Sequence, residues 1–387
     1  MPIARIIDRE DTDVANIVTF HMIQLTPHVE RRAVAKDLAE KMWPGAFISL
    51  DSMEVLSTSN AELSWMQHIC QPRRLHGYAV RLKVERAIQE FFDQRGFLAT
   101  RTPLLVPAPG TDPLCPAFKV HGKNGSQYYL PGSPEFAMKK LLAAGLGPIY
   151  QLSQAFRDEP ASATHLPEFT MLEWYRAGTL QDIMNDMESL CQSVAKSLFG
   201  DTYCLQDDTK IRLDGPWPKV RMETLFKNIG IDLMHDDLIM HAKKLGLMPN
   251  DSWDDTFFLI FLNCIEPKLP KTPLFITHYP ASQAALAKIV HDNGTWADRF
   301  ECYIGGVELA NAFHELTDVK EQEARFIQEL APPDDLLLQA LEEGIPPSSG
   351  IALGVDRLIM FMAGESDIHF TQLLGPHNTP KVTWKRR

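Results

Sequence analysis

Residues 155–178 read AFRDEPASATHLPEFTMLEWYRAG, and this stretch decides the fold into which the rest of the chain must fit. The run PASATHL separates two segments of strand composition, which predicts a β-hairpin. If residues 152–159 form the first strand, Arg157 and Glu159 share a face, because side chains alternate along a strand. The return strand places four side chains on one face in the same way: Phe169, Met171, Glu173 and Tyr175. Such a face is either a ligand site or a solvated surface with ordinary ion pairs, and this set of residues favours the ligand site.

The composition is that of an ordinary globular protein. The chain has 387 residues, of which 45% are hydrophobic and 23% charged, enough for one large domain and a small one. No run approaches the ~20 apolar residues that a membrane helix needs. The beginning, MPIARIIDREDTD, lacks the apolar core of a signal peptide. We therefore expect a cytoplasmic protein that has no membrane partner.

The net charge and the cysteines disfavour two classes of protein. A formal net charge of −12 opposes the binding of a long nucleic acid and suits a basic protein partner better. The six cysteines form no C-x-x-C pair and show no zinc spacing. We expect them to be reduced residues, mostly in the core.

From about residue 77 the helix and strand signals become regular. GYAVRLKVERAIQEFFDQRGF predicts a helix that stops at Gly96, and FLATRTPLL predicts a short strand. Further helices are predicted over 135–145, 180–198 and 321–331, and apolar strands over 148–152, 273–278, 299–304 and 307–313. Because these elements lack regular βαβ alternation and a G-x-G-x-x-G loop, they favour an α+β fold with a mainly antiparallel sheet flanked by helices.

Residues 1–60 are predicted to be an extension of unknown role, ahead of a catalytic domain at 61–387. Within the extension, ERRAVAKDLAEKMW predicts one amphipathic helix over about 29–43, which Pro44 and Gly45 end. Nothing in the pattern of this segment indicates a function.

A second hairpin is predicted in RFECYIGGVELANAFHEL, residues 299–316. Gly305 and Gly306 lie between two strand-like runs and predict a two-residue turn. The turn sets the register of the two strands: Ile304 pairs with Val307, and Tyr303 pairs with Glu308.

This register brings two acids together. Glu301 shares a face with Tyr303, so Glu301 and Glu308 are diagonal neighbours. Two carboxylates in this position repel each other unless a cation lies between them, and Mg²⁺ suits carboxylate oxygens together with substrate phosphates. The alternative is a pair of exposed acids at a sheet edge. Glu315 has the opposite parity and joins this face only through a bulge or a strand end.

The third stretch is SSGIALGVDRLIMFMAG, residues 348–364, a glycine-broken strand that leads into a helix near Val355. Arg357 in the first turn of that helix opposes the helix dipole. Its position is explained if the side chain reaches an anion or a ring outside the helix. The small residues before it let a ligand approach the backbone closely.

Together these stretches resemble the class II aminoacyl-tRNA synthetases, most closely the lysyl enzymes. VRLKVERAIQEFFDQRGFLATRTP is similar to motif 1, the element of the dimer interface, the hairpin at 155–178 to motif 2, and ALGVDRLIM to motif 3. The runs GSPEFAMKKLLAAGLGPIYQLSQAFRDE, HYPASQAALA and GVELANAFHELTD resemble in particular the elongation factor P–(R)-β-lysine ligases, which are paralogues of lysyl-tRNA synthetase. The resemblance runs from about residue 65 to 375 and implies a homodimer.

The resemblance implies an ATP site. Arg157 would hold the α-phosphate and the substrate carboxylate, Glu159 would contact the adenine side, and Phe169 would stack on the ring. Arg357 would pack on the other face of the ring and reach the γ-phosphate, with His165 as a second contact there. The other ATP-site residues that it implies are Asp158, Leu166, Glu308, Leu309 and Gly354. Glu301 and Glu308 match the magnesium-binding acids.

The resemblance also implies a lysine pocket. Glu135 of GSPEF would bind the amino group of the substrate, with Ser133 beside it. Glu315 and Tyr175 would hold the distal ammonium, because a buried carboxylate and a phenol replace its lost solvation. The other pocket residues that it implies are Pro134, Asn311 and Ala352.

The implied chemistry needs no protein nucleophile. The carboxylate of lysine or (R)-β-lysine attacks the α-phosphorus of ATP, pyrophosphate leaves, and an aminoacyl-adenylate remains. Catalysis is then positioning and charge neutralisation by Arg157, Arg357 and Mg²⁺. An amine of the acceptor, implied to be a lysine of elongation factor P, attacks the activated carbonyl and releases AMP.

Three functions are considered: this protein ligase, a free-standing lysyl-type tRNA synthetase or a ligase with another acceptor, and a non-catalytic module. The retained charged residues argue against the third. The roughly 70 residues before the motif 1 helix are too few for an anticodon domain and its linker, so we expect no tRNA partner. Ser133 and Ala352 also match the protein ligases, where lysyl synthetases usually carry Ala and Gly. One departure is Ala163, where relatives often carry Arg.

Overall fold

The structure is a computed structural model that describes residues 3–11, 16–23, 28–40, 42, 46–53, 55–57, 69, 71–110, 116–206, 209–292, 294–328 and 333–375. Its strands are β1 (Ile3–Asp11), β2 (Asn16–Ile23), β3 (His28–Val34), β4 (Phe47–Ser49), β5 (Val55–Ser57), β6 (Leu98–Ala99), β7 (Lys119–His121), β8 (Gln127–Tyr129), β9 (Ile149–Phe156), β10 (Glu168–Ala177), β11 (Tyr203–Gln206), β12 (Thr209–Arg212), β13 (Lys219–Arg221), β14 (Leu274–Pro280), β15 (Ile289–His291), β16 (Thr295–Ile304), β17 (Val307–His314) and β18 (Ser348–Gly354).

The α-helices of the described residues are α1 (Lys36–Ala39), α2 (Pro72–Asp93), α3 (Glu135–Ala143), α4 (Leu180–Phe199), α5 (Met222–Lys227), α6 (Leu238–Lys244), α7 (Trp253–Ile260), α8 (Val319–Gln328), α9 (Asp335–Glu343) and α10 (Val355–Ala363). Short turns of 3₁₀ or π-helix lie at Phe261–Ile265, Glu266–Lys268, Ala281–Gln283 and Ile368–Thr371. None of the described helices is long and apolar enough to cross a membrane.

A large sheet organises the chain. Within the described residues its order is β13-β14-β16-β17-β18-β10-β9-β6, with β15 paired to β16. Only β13–β14 and β6–β9 run parallel, so the predicted α+β fold with a mainly antiparallel sheet is confirmed. Helices α2, α4 and α10 share one apolar core with the sheet. Helix α2 confirms the predicted helix, and Phe92 in it stacks on Tyr150 of β9 with ring centroids 4.6 Å apart.

Strands β9 and β10 form the predicted hairpin, and the shared face along β10 is confirmed. The first strand ends at Phe156, however, so the prediction that Arg157 and Glu159 share a strand face is wrong. The Arg157 N–H donates to the Pro167 carbonyl at 2.9 Å, and the Glu159 N–H then turns back to the Arg157 carbonyl. Pairing stops here because Pro160 and Pro167 have no N–H to donate to a ladder.

The hairpin of β16 and β17 has the predicted turn and register. Gly305 and Gly306 have φ of 65° and 79°, as a two-residue hairpin turn of this kind requires. The register changes one step later, because Tyr303 pairs with Glu308 while Cys302 pairs with Ala310. Leu309 is therefore the extra residue of a β-bulge.

The bulge decides which side chains share a face with Glu308. Glu301 is paired with Asn311, so Asn311, Phe313 and the following Glu315 lie on the same face as Glu301 and Glu308. The expectation that Glu315 joins this face through a bulge is confirmed.

The segment before residue 58 forms a separate sheet of order β3-β2-β1-β4-β5 in the described residues. The predicted helix over 29–43 is wrong: β3 pairs with β2 along its whole length, and of the described residues in this range only Lys36–Ala39 are helical. Pairing with a neighbouring strand overrode the local helical pattern.

In this small sheet, β4 returns beside β1, which is Greek-key order, and five strands of this kind are the size of a small oligonucleotide-binding barrel. The expectation that the roughly 70 residues before α2 are too few for an anticodon domain and its linker stays a prediction, and so does the absence of a tRNA partner. The boundary at 60/61 stays a prediction, since 58–68 lie outside the described residues.

The cysteine prediction is confirmed where the structure describes it. Cys191, Cys204 and Cys302 are free and buried, and Cys264 is free and half-buried. Cys70 and Cys115 lie outside the described residues.

Candidate active site

One face of the large sheet forms the floor of a cavity of about 1280 Å³, which is larger than most small-ligand pockets. Both hairpins, the beginning of α3, strand β18 and the first turn of α10 contribute to its wall. Most of the predicted site residues line it: Ser133, Pro134, Glu135, Arg157, Glu159, His165, Leu166, Phe169, Glu308, Leu309, Asn311, Ala352, Gly354 and Arg357. Four of them do not, namely Asp158, Tyr175, Glu301 and Glu315.

Two rows of side chains cross this face of the sheet, because directly paired residues of neighbouring strands project to the same side. One row runs across β10, β18, β17 and β16, in the order Glu173, Ala352, Asn311 and Glu301. The next row, two residues further along, is Tyr175, Gly350, Phe313 and Arg299. Only glycine fits at 350, since a Cβ there would lie 2.2 Å from the Tyr175 ring and 2.7 Å from Glu315 Oε1.

At one end of the cavity lie a cation and an aromatic ring. The guanidinium carbon of Arg157 lies 5.4 Å from the centroid of the Phe169 ring, and both side chains are half-buried. Asp158 is exposed, and its N–H donates to the Pro116 carbonyl. A cation beside a flat ring suits a ligand that combines an anion with an aromatic base.

Arg357 is held from three sides. It donates from Nε to the Thr164 carbonyl (3.2 Å), from Nη1 to the Glu308 carbonyl (2.5 Å) and from Nη2 to His165 Nε2 (2.9 Å). These bonds reach out of α10 toward both hairpins, as expected for an arginine in a helix's first turn that serves a site outside the helix.

The bond to Arg357 sets the state of His165. A guanidinium can only donate, so Nε2 accepts and the proton of the neutral ring lies on Nδ1, which is 3.0 Å from Ser162 Oγ. Burial, together with the charge of Arg357, lowers the pKa of His165. This histidine therefore supports Arg357 as a neutral acceptor, and its Nε2 is already occupied.

Helix α10 is tied to the rest of the site by Asp356, which sequence reasoning did not find. Its buried carboxylate forms an ion pair with Arg81 of α2 and accepts the Thr170 N–H at 2.6 Å. The start of α10, the helix α2 and the β10 strand are thereby fixed to one another.

The acids Glu301 and Glu308 are neighbours, as the register predicted. Burial raises the pKa of Glu301, and the charge of Glu308 raises it further. Glu301 lies behind the cavity wall and accepts from Arg299 Nη2 (2.5 Å) and Tyr303 Oη (2.9 Å). Glu308 is the open member of the pair, with its side chain 37% exposed.

Glu301 and Glu308 meet some of the requirements of a magnesium site. The mutual repulsion of the pair favours a cation. Glu308 Oε2 lies 3.6 Å from Arg357 Nη1, and each oxygen of Glu301 already accepts one hydrogen bond. No group of three or more His, Cys, Asp or Glu side chains in the described ranges is arranged to hold a metal.

The other end of the cavity is acidic. Ser133 Oγ donates to Glu173 Oε1, and Tyr175 Oη donates to Glu173 Oε2 at 2.9 Å. Burial of Glu173, followed by the charge of Glu135, raises the pKa of Glu173 to about 8. The hydroxyl of Tyr175 is thus engaged with Glu173, so the phenol acts through that carboxylate.

A lysine lies between the remaining acids. Lys139 Nζ is 2.7 Å from Glu135 Oε1 and 2.6 Å from Glu315 Oε2. We refer to Glu135, Lys139, Glu173 and Glu315 as the Glu–Lys cluster. Sequence reasoning missed Lys139, although its i,i+4 spacing from Glu135 in α3 would have indicated the contact.

Comparisons with known proteins bear on this site. The family model for tRNA synthetases class II (D, K and N) matches residues 61–377. A protein of Edwardsiella ictaluri named elongation factor P–(R)-beta-lysine ligase is 40% identical over 304 residues, 72% of this chain and 89% of that protein. Proteins of the same name from Vibrio cholerae and Enterobacter sp. are 41% and 37% identical, over 73% and 79% of this chain and 90% and 95% of theirs.

Proposed function

This chain belongs to the class II tRNA synthetase family (D, K and N), within it to the elongation factor P–(R)-β-lysine ligases, and from that premise we propose that it activates lysine or (R)-β-lysine with ATP and transfers it to a lysine of elongation factor P. One observation carries the proposal. A single cavity is lined by arginines and an aromatic ring at one end and by Ser133 and Glu135 at the other, where Ser133 contacts the buried Glu173 and Lys139 links Glu135 to the buried Glu315. Such a wall suits a nucleotide and a basic amino acid side by side.

The nucleotide end would do the electrostatic part of the chemistry. Arg157 would neutralise charge at the α-phosphate, Phe169 would stack on the adenine, and Arg357 would reach the outer phosphates. Glu308, with Glu301 behind it, would hold a magnesium ion, whose charge would offset that of the phosphates. Because Arg357 is already fixed by three hydrogen bonds, little reorganisation is needed when charge develops.

The reaction would take place in two steps. An oxygen of the substrate carboxylate forms a bond to the α-phosphorus as the bond to pyrophosphate breaks, which leaves a mixed anhydride. The neutral amine of the acceptor then bonds to the carbonyl carbon, the C–O bond to AMP breaks, and the amine proton leaves to solvent or to AMP. The protein would contribute position and charge to both steps.

Ala352 lies between Glu173 and Asn311 in the row across the sheet floor, where it would touch the backbone of the amino acid. Its methyl group would favour a β-amino acid over an α-amino acid. One methyl is worth only ~1–3 kcal/mol of discrimination, so α-lysine would remain a slower substrate.

The acceptor and the assembly rest on the family. The relatives are named for elongation factor P, and its modification would place the enzyme in the cytoplasm with the translation machinery. A homodimer is supported by exposed leucines in the middle of α2 and in the segment after the helix, Leu82, Leu98, Leu104 and Leu105, which are 40–49% exposed.

The proposal is tested with the purified enzyme, ATP and labelled α-lysine or (R)-β-lysine, offered either elongation factor P or lysine tRNA. Label is expected on the protein and more of it from (R)-β-lysine. Label on tRNA and not on the protein would contradict the proposed acceptor.

Arg157→Ala is expected to abolish adenylate formation. Arg212→Ala is the matched control, because Arg212 is an exposed arginine that pairs with Asp201 and Asp214 outside the cavity. Equal activity of the two variants would show that Arg157 has no part in the reaction.

A further inference from the structure

Lys139 is the one residue of the Glu–Lys cluster for which the proposed function has no use. Its side chain is 2% exposed, although lysine is among the residues least often buried. Burial alone would lower the pKa of Lys139, but the nearby Glu135 and Glu315 outweigh it and raise the pKa. The ammonium is therefore charged, and it occupies the space between the two carboxylates that would bind the substrate.

The charges of the cluster do not balance without a ligand. With all three acids ionised, the one ammonium would leave an excess of two negative charges where Glu173 and Glu315 are almost fully buried, so Glu173, with a pKa of about 8, keeps its proton in the free protein. Lysine and β-lysine both carry two ammonium groups. A bound substrate of this class would bring the cluster to neutrality, as buried charges require.

Buried acceptors without hydrogen-bond donors also indicate a bound ligand in this region. Glu315 Oε1 and Asn311 Oδ1 are buried acceptors for which the described residues supply no hydrogen-bond donor. Asn311 lines the cavity, and Glu315 lies on the same face of β17. Buried acceptors without donors are costly, so a donor-rich ligand is expected there.

We propose that Lys139 is a positioning residue of the lysine pocket: its ammonium, 2.7 Å from Glu135 and 2.6 Å from Glu315, holds the two carboxylates in place and sets the pocket charge to that of a substrate with two ammonium groups. This inference rests on the proposed function. It assigns to Lys139 a role in selecting diamino acids without direct participation in the chemistry.

The titratable groups in and around the Glu–Lys cluster come from three elements, and two of them, Glu135 and Glu315, contact Lys139. Glu135 lies one turn before it in α3, Glu315 follows β17 with His314 beside it, and Glu173 and Tyr175 project from β10. Burial raises the pKa of Glu315, and Lys139 opposes that rise. Without the ammonium the pKa of Glu315 would rise further, and a cationic substrate would then have to displace the proton of that carboxyl group.

The opposite role is also chemically reasonable and gives the opposite sign. If the Lys139 ammonium competed with the substrate for Glu135 and Glu315, its removal would tighten lysine binding. The KM for lysine therefore separates a supporting counter-ion from an internal competitor.

The experiment is lysine-dependent ATP–pyrophosphate exchange by the wild type, Lys139→Met and Lys139→Arg between about pH 6 and pH 9. For Lys139→Met we expect the KM for lysine to rise about tenfold or more near neutral pH, with the KM for ATP unchanged, and the difference to shrink as pH rises. Lys139→Arg keeps the charge and should recover most of the loss.

Lys227→Met is the matched control. Lys227 also follows a glutamate, Glu223, by one helical turn, but this pair is on the surface, with the Lys227 side chain 52% exposed. It should leave both KM values and their pH dependence unchanged.

The inference is overturned if Lys139→Met leaves the KM for lysine unchanged or lowers it, or if the KM values for lysine and ATP rise together. If the wild type shows no lysine-dependent exchange at all, the proposed function fails instead.

A measurement on the wild type keeps the test valid should Lys139→Met fail to fold. Titration calorimetry of lysine in buffers of different ionisation enthalpy counts the protons released on binding. At about pH 8, above the pKa of about 7 of Glu315, about one proton or fewer should leave, from Glu173. Release of two would show that Lys139 does not hold the pKa of Glu315 below that pH.

Discussion

Glu315 lies just beyond the end of β17, with Lys139 on one oxygen and no hydrogen-bond donor for the other among the described residues. We predict that Glu315→Ala abolishes lysine activation, with a loss of about a hundredfold or more in kcat/KM, because the distal ammonium loses its counter-charge. Pyrophosphate exchange measures this loss. ATP affinity serves as the check on folding, and a normal KM for lysine would disprove the pocket assignment.

Glu173 gives a pH dependence of stability whose sign follows from its pKa. Because the folded-state pKa is about 8 and the ordinary value is 4.5, the folded protein binds the proton more tightly than the unfolded chain does. The stabilisation by the protonated acid is present below the unfolded value and is lost as pH rises toward 8. Glutamine resembles the protonated acid, so Glu173→Gln should raise the melting temperature of the free protein more at pH 8 than at pH 5.

The same substitution separates stability from function. Glu173→Gln should weaken lysine binding even as it stabilises the free protein, since the pocket loses a carboxylate that the substrate would ionise. Equal melting temperatures for wild type and variant at both pH values would mean that Glu173 is not protonated in the free protein.

At the scale of elements, the pair Arg81–Asp356 connects α2 to α10 and is buried on both sides. Arg81→Met is expected to destabilise the protein by ~3–5 kcal/mol, because Asp356 remains as an uncompensated buried charge. Urea unfolding measures the change. The double variant Arg81→Met, Asp356→Asn should recover much of it, and a double variant no more stable than the single one would contradict the ion-pair explanation.

Elements whose bounds depend on local signals could be predicted from the sequence. The turn at Gly305 and Gly306 requires positive φ, which glycine adopts freely. The pairing of the strand residues next to the turn could therefore be predicted from the sequence. The parity of Glu315 predicted a bulge or a strand end, but the position of the bulge at Leu309 could not be predicted, because nothing in that residue marks it as unpaired. Strand β3 could not be predicted, since pairing with β2, a distant constraint, decides its conformation.

Prediction of the site had the same limit. Residues that a motif aligns, such as Arg157, Glu135 and Ala352, were found to line one cavity. Partners such as Arg299 and Asp356 carry no signal of their own, because each acts by completing a contact that exists only in the folded chain. Lys139 has one signal, its i,i+4 spacing from Glu135, and that spacing does not reveal the contact with Glu315. The role of Tyr175 in the lysine pocket stays a prediction, because its side chain does not line the cavity and its contact with Glu173 depends on a rotamer that spacing does not specify.

For the whole molecule, the predicted homodimer can be tested through the exposed leucines. Leu98 and Leu105 are 49% and 48% exposed, in and just after β6. Leu98→Lys with Leu105→Lys is expected to shift the protein from dimer to monomer in analytical ultracentrifugation, because two charges would be buried in an apolar contact. Met248→Lys, at a residue 94% exposed in a distant loop, is the control. A wild type that sediments as a monomer would contradict the prediction.

The single extra residue at Leu309 has a consequence for how this enzyme can vary. The extra residue reverses the face of the sheet on which each side chain from Asn311 to Glu315 lies. The lysine end of the cavity therefore depends on the presence of this one unpaired residue between the Gly305–Gly306 turn and Asn311. A one-residue deletion there would turn Asn311 and Glu315 into the apolar layer, whereas a conservative exchange would leave them in place. Homologous genes that keep this activity are therefore expected to accumulate substitutions in this strand but no change of length.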